Sequence, residues 1–158
     1  MTPAQGIEAL GLAVAMRQSL WLYPIVEIVH ICGFVLLVGS VAMFDFRVLG
    51  LGRSLPVRAL ARHLLPWTLA ALLLIVPSGL LMFITHAGDF ISNPAFQLKL
   101  GLIFLAGLNA IAFHLGPFAR VADWDTGCAA PLGARLSAAA SLAIWVAVIS
   151  CGRLLAYL

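Results

Sequence analysis

The sequence predicts an all-α integral membrane protein: a four-helix bundle with a short N-terminal interfacial helix. Three observations carry this expectation. Hydrophobic residues make up 63% of the 158 positions and charged residues 9%, with a mean hydropathy of +1.10. A soluble domain carries about 25% charged residues, so this chain has too little polar surface to face water. Four apolar segments also reach the roughly 20 residues that a helix needs to cross hydrocarbon. The loops between them are short, so sequential helices should pack antiparallel in one domain spanning residues 1–158.

Residues 1–19 are expected to lie on the membrane surface. Glu8 precedes the first basic residue, Arg17, and the apolar stretch from Ile7 to Met16 has no basic segment before it, unlike a cleaved signal. The first span is expected at 20–44, entered through Trp21, Tyr23 and Pro24, where aromatic rings anchor to the interface. The second, at 64–84, carries Pro66 near its start and "PSG" (Pro77, Ser78, Gly79) past its middle. A proline there removes a helix hydrogen bond and favours a kink. The third, at 96–116, ends at Pro117. The fourth, at 136–152, is rich in small residues ("SAAASLA") that allow close helix approach and offer a surface for oligomerisation.

Nine Lys/Arg against six Asp/Glu give a formal charge of +3. The excess is one-sided. Arg47, Arg53, Arg58 and Arg62 lie in the first loop and Arg120 and Arg135 in the third, while Arg17, Lys99 and Arg153 fall on the opposite side. The positive-inside rule therefore places the first and third loops in the cytoplasm and both termini outside. Such a distribution speaks for topology rather than for nucleic acid as a partner. Cys32, Cys128 and Cys151 form no CxxC and read as structural thiols.

Within the spans, Glu27 and His30 stand three residues apart and share a face, with Phe34, Val41 and Asp45 close to the same stripe. A charge at mid-membrane costs at least a few kcal/mol, so this pair is expected to be a buried site. On the third helix, Lys99 and His114 lie within about 60° of each other in projection, separated by Ile103, Ala106, Gly107 and Ala110. That arrangement suggests a slot for a planar ligand. His63 and His86 fall at helix ends, where an interfacial position in contact with water also suits them. Lys99 also suits a snorkelling position. Asp45 and Arg47 in "FDFRVLG" read as an interface anchor with a local ion pair, and Gly33 and Gly39 as close-packing positions.

Imidazoles inside a helical bundle suit the axial positions of b-type haem, and the absence of CxxCH excludes c-type haem. Glu8 and Glu27 are the only glutamates, too few for a carboxylate-bridged di-iron centre. Copper favours clusters of Met and Cys, which are scattered here. The candidate cofactor-binding residues are thus His30, His63, His114, His86, Lys99 and Glu27, with His30, His114 and His63 as candidate iron ligands.

The run His30, Gly33, Gly39 and Asp45-Phe46-Arg47-Val48-Leu49-Gly50, with "RHLLPW" and "NPAFQLKLGLIFLAGLNAIAFH", resembles small bacterial four-helix membrane proteins of unknown function. The chain is more distantly similar to the membrane-bound protoporphyrinogen oxidase of the haem pathway and to copper-resistance membrane proteins. The oxidase likeness implies haem or porphyrin binding at His30 and Lys99, with His114 echoing a further histidine. The arginine-asparagine-glutamate-proline signature of that family has no counterpart; Trp124 to Ser137 reads "WDTGCAAPLGARLS" instead.

The expected function is haem or porphyrin binding for electron transfer or redox chemistry, with a quinone or a redox protein as partner. The opposing expectation is a non-enzymatic protein for copper or small-solute handling, or a structural subunit of a larger complex. With the first span at 20–44, His30 sits about 3 Å outward of the midplane, and His114 about 12 Å inward. They are poor partners for one haem. His63 and His114 match better in depth, leaving open two haems or one haem on His30 with an open sixth position.

Overall fold

The computed structural model describes residues 2–155 and 157. Its elements are α1 (Pro3–Glu8), α2 (Gly11–Gln18), α3 (Leu22–Leu49), α4 (Val57–Thr85), α5 (Ala87–Ser92), α6 (Pro94–Leu115), a 3-10 segment (Pro117–Asp123) and α7 (Leu132–Leu154). Helices α3, α4, α6 and α7 are each long and apolar enough to cross a membrane. The protein is an all-α four-helix bundle. Leu73, Phe104 and Leu115 are 76, 69 and 78% exposed, which makes lipid the solvent for the outer helix faces.

Local chemistry sets the helix ends. Gly50 adopts φ 116° after α3, and its N–H and that of Leu51 return to the Phe46 carbonyl at 3.2 and 3.0 Å. A left-handed residue closing a helix this way is most easily a glycine. Asn93 caps α6, accepting from the N–H groups of Ala95 (2.9 Å) and Phe96 (3.4 Å), with Pro94 at the first helical position. Pro66 and Pro77 both stand inside α4.

Helix α3 packs against α4 on one side and α7 on the other, and α6 packs on α7. The tightest crossing is at Gly33. A Cβ there would lie 2.9 Å from Ile75 Cγ1, 3.1 Å from Leu74 Cβ and 3.3 Å from the Ala71 carbonyl oxygen. Gly33 is thus a contact position, as expected. Gly39 is not: a Cβ there would meet nothing within 4 Å.

At the opposite end from the chain's N-terminus, Val48, Val57, Phe113, Val121, Trp124, Ala130, Ala134 and Ala138 form a buried core. Phe44, Phe113 and Phe118 pack ring to ring beside it, with centroids 5.6 to 6.4 Å apart. Arg47, 2% exposed, ties this end together. Its Nε donates to the Leu55 carbonyl at 2.6 Å, and Nη2 donates to those of Arg53 (3.2 Å) and Asp125 (3.0 Å). The expected ion pair with Asp45 is absent, because helical residues two apart point to different faces. Asp45 Oδ2 and Arg47 Nη1 are each buried without a hydrogen-bond partner.

The segment before the first span forms two short helices rather than one, and they pack on protein. Arg17 donates to the carbonyls of Thr85 (2.8 Å) and Glu8 (2.6 Å), while Glu8 Oε1 accepts from the Gly88 N–H at 2.8 Å. Ala13, Met16 and Ala87 are buried in this contact.

Candidate functional site

All four spans contribute to one cluster, in the half of the bundle where α3 begins. Its centre is His30, half-buried on α3. Nδ1 lies 3.2 Å from the Ile75 carbonyl oxygen and 2.9 Å from Ser78 Oγ, both on α4. A carbonyl only accepts, so its position assigns the hydrogen to Nδ1. Ser78 directs its own hydroxyl hydrogen to the Leu74 carbonyl at 2.5 Å, leaving Oγ as a second acceptor for Nδ1–H. In the neutral ring Nε2 is then the free lone pair. Ligating histidines are oriented by this kind of outer hydrogen bond.

The space for the ring comes from Gly79, where a Cβ would stand 3.1 Å from His30 Cε1. On the other side the imidazole lies 6.0 Å from the Phe34 ring centroid. Trp145 of α7 meets Phe34 edge-on at 5.9 Å, and Lys99 Nζ of α6 lies 5.7 Å from the same centroid. Lys99 is half-buried, and Nζ would be 3.4 Å from a Cβ placed on Gly152 of α7. The small residue lets the ammonium lie against the helix. Measured from the midpoints of their helices, His30 and Lys99 both lie about 8 Å toward the end where α3 and α6 begin. His30 lies farther from its helix midpoint than the shorter expected span implied, because α3 continues to Leu49.

The other candidates lie elsewhere. Glu27 is exposed rather than buried: it sits one turn nearer the start of α3, where a carboxylate can reach the interface. His86 is exposed at the junction of α4 and α5, edge-on to Tyr23 at 6.2 Å. His63 is exposed in the early turns of α4. His114 is exposed near the end of α6, its Nδ1 2.8 Å from the Ala110 carbonyl of its own helix. It borders a shallow groove of about 380 Å³ with Leu65, Ala110, Ile111 and Leu115. Among the described residues, no three His, Cys, Asp or Glu side chains converge on a point that would hold a bare metal ion.

Sequence reasoning singled out His30 and Lys99, the latter also as a snorkelling residue, but missed Ser78 and Gly79 as the partners of His30. The signal was the adjacent hydroxyl and glycine after Pro77, at a level similar to that of His30 on an antiparallel helix.

A pattern describing a protein family of unknown function, DUF6644, matches residues 21–158. The chain belongs to that family. The match in this DUF6644 member covers all four spans and the whole His30 cluster, and begins after α1 and α2. No curated protein and no solved structure matches the chain. The comparisons thus relate this DUF6644 protein neither to protoporphyrinogen oxidases nor to copper-resistance proteins.

Proposed function

We propose that this membrane protein binds b-type haem, or a related porphyrin, in the outer half of its bundle, with His30 Nε2 as the axial ligand. The observation that supports the reading is the pair of oxygens at His30 Nδ1, the Ile75 carbonyl at 3.2 Å and Ser78 Oγ at 2.9 Å. A ring whose Nδ1–H is held by a carbonyl and a serine oxygen presents Nε2 at a set angle, as an axial ligand requires. Lys99, at the same level and against the same Phe34 ring, supplies a cation for a porphyrin carboxylate. The residues fit one axial bond. No second imidazole stands at that level, since His86 lies beyond the helix end and His63 and His114 belong to the inner half.

Bound haem would supply one-electron chemistry. The chain's own residues orient the ligand ring through Ser78 and Ile75 and shield it with Phe34 and Trp145. A quinone or a redox protein at the outer face is the proposed electron partner, in a bacterial inner membrane with both termini outside. The test is a visible spectrum of the protein purified in mild detergent from haem-replete cells, oxidised and then dithionite-reduced. The expected result is a Soret band that sharpens, with α and β bands, on reduction. A colourless preparation would remove the proposal and favour a role without haem.

A further inference from the structure

Asp45 is a second polar group that nothing in the His30 cluster uses. It is 6% exposed, on the face of α3 turned to α7, and its Oδ2 has no hydrogen-bond partner. Its polar neighbour is the side chain of Ser141 on α7. The charged and titratable groups on the surrounding elements are turned elsewhere. Arg47 on its own helix gives Nε and Nη2 to the Leu55, Arg53 and Asp125 carbonyls, and its Nη1, also without a partner, makes no bond to Asp45 Oδ2. Arg58, Arg62 and His63 of α4 and Arg135 of α7 are exposed, and exposed His114 of α6 is bonded to Ala110.

Ser141 belongs to a row on α7. Gly133, Ser137 and Ser141 follow at intervals of four, so they share one face. Burial rises along that row from exposed Gly133 through half-buried Ser137 to buried Ser141. Ser137 Oγ donates to Asn109 Oδ1 at 2.9 Å, and Asn109 Nδ2 returns a bond to the Ser137 carbonyl at 3.0 Å. Both residues line a groove of about 420 Å³ between α6 and α7, which reaches Pro117 and Gly133 at the arginine-rich end of the bundle.

We infer that Asp45 is a proton-binding site, reached from the arginine-rich face along the Gly133–Ser137–Ser141 row of α7. The groove leads to Ser137, one helical turn from Ser141, whose side chain faces the unpartnered carboxyl. An ionised carboxylate buried with an oxygen unbonded and no ion pair formed is costly, so the acid is the stable form and the proton is its ligand. A metal cation is a poorer occupant. The carboxyl and one hydroxyl offer three oxygens, against the six or so that hard cations such as magnesium or calcium take. This site stands independently of what His30 holds.

Infrared spectroscopy of the full-length protein in lipid tests it. The wild type is expected to show a protonated carboxyl C=O band at neutral pH that is missing in Asp45→Asn and displaced in Ser141→Ala. In D2O, Ser137→Ala and the groove-filling Ala140→Leu should slow the deuterium shift of that band by about tenfold, since the first removes a hydroxyl from the row and the second takes up the space that admits water. If Asp45→Asn fails to fold, the displacement in Ser141→Ala carries the assignment. A wild type without the band, a band unmoved in Ser141→Ala, or one abolished by sodium at constant pH would overturn the site. Exchange unchanged in both Ser137→Ala and Ala140→Leu would overturn the path.

Discussion

Arg47 and Asp125 stand 78 positions apart, yet the buried guanidinium of the first donates to the main-chain carbonyl of the second at 3.0 Å. Asp125 in turn accepts the Arg58 N–H on its carboxylate at 2.8 Å, and its carbonyl accepts the Val57 N–H at 3.0 Å. One arginine at the end of α3 thereby joins both arginine-rich loops and the start of α4. What reads in sequence as a topology signal is also a structural clamp.

Arg47→Ala should cost about 3 kcal/mol or more, because charge-assisted bonds contribute about 1.5–3 kcal/mol each and three are lost, although the Arg53 and Asp125 carbonyls keep the main-chain N–H groups of Gly127 and Val57. Arg47→Lys should recover only part of this, since a single ammonium cannot reproduce the planar fork. Thermal unfolding in detergent, compared across the three proteins, measures both effects. A stable Arg47→Ala would remove the clamp from the account.

The two glycines of the first span should separate cleanly. Gly33→Ala drives a methyl into Ile75, Leu74 and the Ala71 carbonyl and should cost about 1–3 kcal/mol, the usual range for overpacking. Gly39→Ala meets open space and should be neutral or stabilising by up to about 1 kcal/mol, the difference in helix propensity. The same unfolding assay reads both.

Ser78→Ala and Gly79→Ala act on His30 without touching it covalently. The first removes the acceptor at 2.9 Å. The second places a methyl 3.1 Å from the ring. If His30 is the axial ligand, both variants should fold and yet retain less haem, with a displaced Soret band. Helical content by circular dichroism should stay at the wild-type value.

Orientation has its own test. Cys128 is exposed in the loop between α6 and α7, beside the arginine-rich end. In a variant lacking Cys32 and Cys151, a membrane-impermeant thiol reagent should leave Cys128 unlabelled in intact cells and label it in inverted vesicles. The reverse pattern would place both termini inside.

The four spans were legible because hydropathy and length are local properties. Their ends at the arginine-rich loops were not. Helix α3 runs on through Asp45 to Leu49, and α4 begins at Val57, before its apolar run. Polar residues there stay helical because the folded loops bury them, a contact between distant positions that composition does not record. His30 and Lys99 were visible as polar residues in apolar runs. Ser78 and Gly79 were not, since a small residue announces its partner only when the facing helix is known. Asp45 was read with Arg47 because they are neighbours in sequence, whereas the helical turn sends one toward Ser141 and the other toward the loops.

The central claim is tested most directly by counting haem per chain with the pyridine haemochrome assay in wild type, His30→Ala and His114→Ala, purified side by side. The account expects haem in the wild type and in His114→Ala, and its loss in His30→Ala. Equal haem in His30→Ala and wild type, or none in the wild type, would contradict it.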